Sequence, residues 1–222
     1  MNIILQHYNG TLGELENLSV ENIKEYAARL GVQYELIRGK PFREHLTSPC
    51  QKVFMLDRRF DEYDDVLMLD IDMFAVKGLT KNVFDENGIG LYEQTQKGLH
   101  DRLASKFSSI ANINIPYWGG AIYKFNKEAR IQLRQALGKD EAWMNHFNKA
   151  YRYEDEGIMH VLANKTNFNP ESPYLDKKWC QSSFFPDPEN AFIIHIRTKI
   201  TPKGPKRTKI ENYYDLRDKG II

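Results

Sequence analysis

The sharpest chemical feature of the chain is a pair of carboxylates two positions apart, Asp70 and Asp72, directly after the apolar run Val66-Leu67-Met68-Leu69. Such a run reads as a short strand buried on both faces. The carboxyl end of a strand is where open α/β sheets bind ligands. If the extended conformation persists, alternate residues point the same way and the two carboxylates converge. Converging carboxylates repel one another unless a cation neutralises them. Their oxygens suit Mn²⁺ or Mg²⁺, which in turn grip phosphates. The same tripeptide is also common as a solvated turn, so the pair needs support from the rest of the chain.

The surrounding pattern alternates strand and helix. Asn2 to Leu5 reads as a first strand ending in polar Gln6-His7-Tyr8-Asn9-Gly10. A helix follows, with Ser19 as N-cap, Gly31 as its stop, and Ile23, Ala27 and Leu30 on one face. Val32 to Ile37 alternates as a strand. Ser48-Pro49 opens a helix whose apolar stripe is Val53, Leu56 and Phe60. Beyond the acidic pair, Ile89 to Leu91 and Ala121-Ile122-Tyr123 read as strands, and Asn126 caps a helix through Leu137. Further helices are expected over Glu141 to Ala150 and Asp155 to Ala163, and a last strand over Ala191 to Ile196. This order predicts an α/β fold, a mixed, mostly parallel sheet flanked by helices. No linker or repeat divides the chain, so one domain is expected over residues 1–222. The polar, basic stretch Thr198 to Ile210 reads as a surface loop. Arg217 to Ile222 could lead into a further domain.

Composition narrows the function. The 222 residues carry 31 Lys plus Arg against 30 Asp plus Glu, a formal net charge of +1. A chain-wide basic field for nucleic acid is absent. An apolar fraction of 41% with 12% aromatics supplies a packed core and argues against disorder. Cys50 and Cys180 make no disulfide framework. No apolar run reaches the ~18 residues of a membrane helix. A soluble, cytoplasmic protein is the expectation.

Two enzyme classes place Asp-x-Asp after such a strand. In haloacid-dehalogenase-like phosphatases the first Asp is the nucleophile, but the motif lies near the N-terminus, and a Thr or Val stands where this chain has Phe74. In GT-A glycosyltransferases the motif follows a nucleotide-binding half-domain, as Asp70 does here. Tyr63-Asp64-Asp65-Val66-Leu67-Met68-Leu69-Asp70-Ile71-Asp72 resembles the signature of that second class, closest to the retaining families 8 and 34. Further resemblances follow in the family order. They are Tyr117-Trp118-Gly119-Gly120-Ala121-Ile122, Asp155-Glu156-Gly157-Ile158, Leu175-Asp176-Lys177-Lys178-Trp179 and Ile193-Ile194-His195. Trp118 stands where Asn is usual, and Arg197-Thr198-Lys199, with Pro202 and Lys203 beyond, replaces the family's Gly and Lys-Pro-Trp. The compact size resembles soluble enzymes of bacteria or large DNA viruses of the chlorella-virus type, in which case the host cytoplasm is the setting.

The resemblance implies a GT-A (Rossmann-like, nucleotide-diphospho-sugar transferase) fold and a metal-dependent transfer from a nucleotide sugar, UDP-linked, to a hydroxyl of a glycan or glycoprotein acceptor, with retention. His195 completes an Mn²⁺ (or Mg²⁺) site with Asp70 and Asp72; the alternative is a satisfied core histidine. Gln6, His7 and Tyr8 hold the base and ribose, with Arg43, Lys52 and Ile71 nearby. Arg197 and Lys199 stabilise the departing diphosphate, unless they belong to a solvated basic loop. Asp155 and Glu156 face the sugar as catalytic candidates, or are helix N-terminal acids favoured by the dipole. Gly119 and Gly120 line the acceptor side, and Asp176 meets a sugar hydroxyl or caps a turn. Two other functions stay open: a phosphatase or phosphotransferase using Asp70, and a non-catalytic carbohydrate-binding module. A sugar nucleotidyltransferase fits less well, because the first loop lacks a Gly-rich phosphate cradle.

Overall fold

The computed structural model describes residues 1–88, 91–92, 97–138, 142–147, 154–166, 174–183, 190–198 and 207–222. Strand β1 (Asn2–Tyr8) leads into helix α1 (Glu14–Leu30) and strand β2 (Gln33–Arg38). Two 3-10 segments, Pro49–Leu56 and Arg58–Phe60, then lead to β3 (Asp65–Leu69) and β4 (Met73–Ala75). Next come β5 (Leu91–Tyr92), α2 (Lys97–Phe107), β6 (Trp118–Gly119), β7 (Ile122–Asn126) and α3 (Lys127–Leu137). The remainder comprises α4 (Glu154–Lys165), β8 (Gln181–Ser182), β9 (Ile193–His195) and α5 (Lys209–Asp218).

The main sheet has the order β2-β1-β3-β7, with β1 parallel to β2 and β3, and β7 antiparallel to β3. The apolar run in β3 has the reason expected of it. Val66 and Met68 pack into a core with Phe60, Tyr123, Ile158 and Leu162, while Leu67 and Leu69 pack into a second core with Ile23, Tyr26 and Trp179. Both faces are covered from Val66 to Leu69, so none of those four positions favours a polar residue. Two smaller sheets, β4-β9-β8 and β5-β6, carry His195 and Gly119 respectively.

Several boundaries differ from expectation. β1 runs on through Tyr8, because His7 and Tyr8 still pair with Ile37 and Arg38 of β2. Helix α1 starts at Glu14, with Gly13 as N-cap and the Glu16 carboxylate accepting from the Gly13 N–H at 3.0 Å. Ser19 is therefore not a cap. It is buried inside the helix, and its hydroxyl donates to the Met73 carbonyl at 2.7 Å. Gly31 does end the helix, at a left-handed φ of 68° that favours glycine. The segment after Ser48 is 3-10 rather than α, and Ser48 makes no side-chain cap. Asn126 caps α3 as expected, accepting from the Ala129 N–H at 2.8 Å.

Of the helix expected over Glu141 to Ala150, a 3-10 segment Ala142–Phe147 is described, and 141 and 148–150 lie outside the described residues. So do positions 89 and 90 of the expected Ile89 to Leu91 strand. The end of the expected Thr198 to Ile210 loop is instead the start of α5, capped by Thr208 and Glu211. Leu216 of that helix, with Ile221 and Ile222 beyond its end, joins Leu15, Phe74 and Ile194 in a third core. Among the described residues no helix is long and apolar enough to cross a membrane.

Candidate active site

Asp70 and Asp72 do converge, though by a turn and not by continued extension. Residues 71 and 72 turn, and the Met73 N–H reaches back to the Asp70 carbonyl at 3.3 Å. The chain then pairs as β4 with β9, which sets His195 opposite Met73. The Ile196 N–H donates to the Asp72 carbonyl at 2.9 Å, locking that register. One ligand atom from each of Asp70, Asp72 and His195 therefore lies within 4.8 Å of the others. His195 Nε2 stands 3.1 Å from an Asp72 carboxylate oxygen and 3.8 Å from one of Asp70. Two carboxylates and an imidazole nitrogen are a donor set that fits Mn²⁺ or Mg²⁺.

The backbone of Asp70 is held from beneath. Its N–H donates to the Ala121 carbonyl at 2.9 Å, and its carbonyl accepts from Gln6 Nε2 at 3.1 Å. Gln6 is fully buried, also donates to Ser19 Oγ at 2.9 Å, and accepts from the Tyr34 hydroxyl at 2.9 Å. The buried Ser19 misread as a cap is thus part of the support under the acidic turn.

Lys52 is the hub of the inner half. Its ammonium lies 2.5 Å from Asp70 Oδ1, 2.8 Å from Asp155 Oδ2 and 2.6 Å from the Gly120 carbonyl. Burial alone would lower the Lys52 pKa, but Asp155 and Asp70 outweigh it and hold the ammonium above the ordinary lysine range. Burial lifts the Asp155 carboxyl to about 6, against the pull of Lys52. Asp155 also accepts from the Tyr123 hydroxyl at 2.9 Å. Its neighbour Glu156 accepts from the Gly120 N–H at 2.8 Å and from the Tyr117 hydroxyl. A Cβ on Gly120 would stand 2.5 Å from Glu156 Cγ and 2.7 Å from Asp155 Oδ2, so only glycine lets the Gly119-Gly120 segment approach the start of α4.

The outer half is simpler. Lys209, the first residue of α5, pairs with Asp72 Oδ2. Burial would raise the Asp72 carboxyl, but His195 and Lys209 prevail and hold it well below the usual carboxylate range. Asn212, one turn along α5, donates from Nδ2 to the Arg197 carbonyl at 2.6 Å and ties the helix to the segment that follows His195.

The other expected site residues are placed as follows. His7 is buried at the carboxyl end of β1, its Nε2 2.7 Å from the Gly39 carbonyl, and burial pushes its pKa down. Tyr8 closes that strand and is half-buried. Ile71 is half-buried within the acidic turn, and Gly119 is half-buried in β6. The Arg43 guanidinium lies 5.2 Å from the Phe42 ring. Asp176 is exposed and caps a 3-10 turn, accepting from the Lys178 N–H at 2.9 Å. Arg197 is exposed, its N–H donating to Ser183 Oγ at 3.0 Å. Lys199 lies outside the described residues.

Sequence reasoning missed Lys209, Tyr117 and Tyr123. For Lys209 a signal existed: Thr208 followed three residues later by Glu211 is a capping-box pattern that places a helix start there.

No protein-family model matches the chain, and no curated protein does. Solved structures do. A glycosyltransferase involved in the glycosylation of the major capsid of PBCV-1 is 12% identical, with a TM-score of 0.59 over 97% of this chain and 98% of that one. The galactosyltransferase LgtC, in complex with donor and acceptor sugar analogs, is 13% identical, with a TM-score of 0.60 over 98% of this chain and 93% of that one. At such identities the likeness speaks for the backbone, and it establishes that the chain has the GT-A glycosyltransferase fold.

Proposed function

We propose that the protein is a metal-dependent glycosyltransferase that moves a sugar from a nucleotide-sugar donor, UDP-linked, to a hydroxyl of a glycan or glycoprotein acceptor, with retention. The observation that carries this reading is the juxtaposition of the Asp70, Asp72 and His195 cluster with the buried Lys52 and Asp155 pair at one end of the sheet. A divalent ion held by Asp70, Asp72 and His195 supplies charge neutralisation for the donor's diphosphate.

The chain's own groups do the rest. Lys52 holds Asp70 and Asp155 at a fixed separation, so the diphosphate end and the sugar end of the site stay in register. Asp155, held by both Lys52 and Tyr123, is largely ionised at neutral pH, above its raised value of about 6. Such a charge favours cationic character at an anomeric carbon. Glu156 is half-buried beside Gly120 and meets the sugar or its acceptor from that side. Tyr8, at the end of β1, offers a ring for base stacking. Arg197 stands on the exposed segment after His195, where a departing diphosphate emerges, and Lys199 extends the same basic run.

A thermal-shift panel of nucleoside diphosphates and nucleotide sugars, with and without Mn²⁺, tests the reading. UDP and a UDP-sugar are expected to raise the melting temperature only with metal. Slow donor hydrolysis is expected and should vanish in Asp72→Ala, which also separates an enzyme from a non-catalytic binding module. If no nucleotide protects the protein in a metal-dependent way, the proposal fails. A phosphoenzyme trapped on Asp70 by a metallofluoride would instead support the phosphatase alternative.

A further inference from the structure

The Lys209 ammonium stands where a cation is wanted. Asp72 offers two carboxylate oxygens: Oδ1 faces His195 Nε2 at 3.1 Å, and Oδ2 is taken by Lys209. The Asp72 side chain is only 10% exposed, whereas that of Lys209 is 42% exposed. The carboxylate is thus fixed and the ammonium reaches it from the solvent side on a flexible stem. The backbone of Lys209 is not loose, however. Thr208 and Glu211 form a capping box around it, and Asn212 ties the same turn to the Arg197 carbonyl. A divalent ion bound between Asp70, Asp72 and His195 would sit within a few ångströms of this ammonium and repel it.

We propose that Lys209 is a built-in counter-ion that holds Asp72 while the metal site is vacant and is displaced when a divalent cation binds, so that metal affinity is set in part by the first turn of α5. The proposal rests on the reading of Asp70, Asp72 and His195 as a metal site. It assigns a role to a residue at the far end of the chain, 137 positions from its partner. Among the described residues, Lys209 is the lysine on Asp72, whereas Lys52 reaches Asp70 and not Asp72. With Lys209 in place, the acidic turn is charge-balanced as soon as the chain folds, and exchange of one flexible side chain admits the metal.

The test is a titration of the full chain with Mn²⁺ alone, followed by the electron paramagnetic resonance signal of the free ion at low ionic strength. Lys209→Met keeps the apolar stem and removes the charge. It is expected to bind Mn²⁺ roughly fivefold more tightly than the unaltered protein, the scale of one partly exposed ion pair. Lys209→Arg should bind nearly as the unaltered protein does. Lys219→Met, at the C-cap of the same helix but paired with Asp215 at 2.7 Å, should change nothing. In EDTA, Lys209→Met should melt below the unaltered protein, and saturating Mn²⁺ should close that gap. Equal or weaker Mn²⁺ binding by Lys209→Met, in a protein whose binding is lost in Asp72→Asn, overturns the competition and leaves the metal site standing. Mn²⁺ binding that is undetectable, or indifferent to Asp72→Asn, overturns the metal site and this proposal together.

Discussion

Two lysines serve the acidic site, and they differ in nearly every physical respect. The Lys52 side chain is 7% exposed, and its ammonium has three partners, Asp70, Asp155 and the Gly120 carbonyl, at 2.5 to 2.8 Å. The Lys209 side chain is 42% exposed and pairs with Asp72 alone among the acidic residues of the site. A buried charge with every proton engaged is part of the fold, because removing it strands its partners away from water. A half-exposed lysine reaching a carboxylate that keeps His195 beside it contributes less and exchanges more readily with another cation. The inner half of the site is therefore permanent architecture. The outer half, Asp72 with Lys209 and His195, is where charge can be exchanged, and Asp70 at the boundary brings a second carboxylate within reach of the same point.

The largest effect that could break this comparison is the loss of Lys52. Lys52→Met should cost about 3–5 kcal/mol of unfolding free energy, because two carboxylates and a carbonyl lose their counter-charge. Urea denaturation measures it. The double variant Lys52→Met/Asp155→Asn should recover part of the loss, since the neutral amide no longer needs a cation. If Lys52→Met costs no more than Lys209→Met, whose expected stability cost is below about 1 kcal/mol, the distinction between the halves is wrong.

Gly120→Ala is next, at about 1–3 kcal/mol by overpacking, since its Cβ would meet Glu156, Asp155 and the Tyr123 hydroxyl at 2.5 to 2.8 Å. A variant of unaltered stability would mean that the start of α4 can move aside, and that the inner half is softer than its packing implies.

Acid sharpens the comparison in another way. His160 is fully buried on α4 between Tyr117 and Trp118, and burial pushes its pKa down to about 3. The unfolded chain, with an ordinary histidine near 6.5, binds a proton that the folded chain refuses. Stability from this residue is therefore complete above the unfolded value and falls as pH drops towards 3, at up to about 1.4 kcal/mol per pH unit. Unfolding free energies measured across that window should show a shallower slope in His160→Gln than in the unaltered protein. An identical slope would show that the histidine is not held neutral.

Much of the fold was legible from local pattern. The β3 run was readable because a strand buried on both faces must be apolar throughout, and here its alternate residues enter two separate cores. The Asn126 cap and the Gly31 stop were readable because each satisfies helix ends with its own side chain or its own φ. The acidic pair was legible as two carboxylates at a sheet edge, His195 was named with them through the GT-A resemblance, and the fold does bring the three together. The failures share a cause. Ser19 has the residue type of a cap, but its hydroxyl is used by Gln6 and by the Met73 carbonyl, more than fifty positions away in the latter case. The two-residue strands β6 and β8 and the three-residue β4 are too short to show a period and exist through their partners.

The sequence by itself determined the covered parallel core, the acidic turn at its carboxyl edge and the types of side chain available for a metal, because these depend on burial patterns and residue chemistry over a few neighbouring positions. Only the tertiary structure decided which lysine each carboxylate meets. Lys52 reaches Asp70 across 18 positions and Lys209 reaches Asp72 across 137, and at such separations nothing in local spacing tells a buried hub from a surface charge. The chain closes loops of that length because β1, β3 and β9 bury their apolar residues together, and the charges are brought into contact as a consequence.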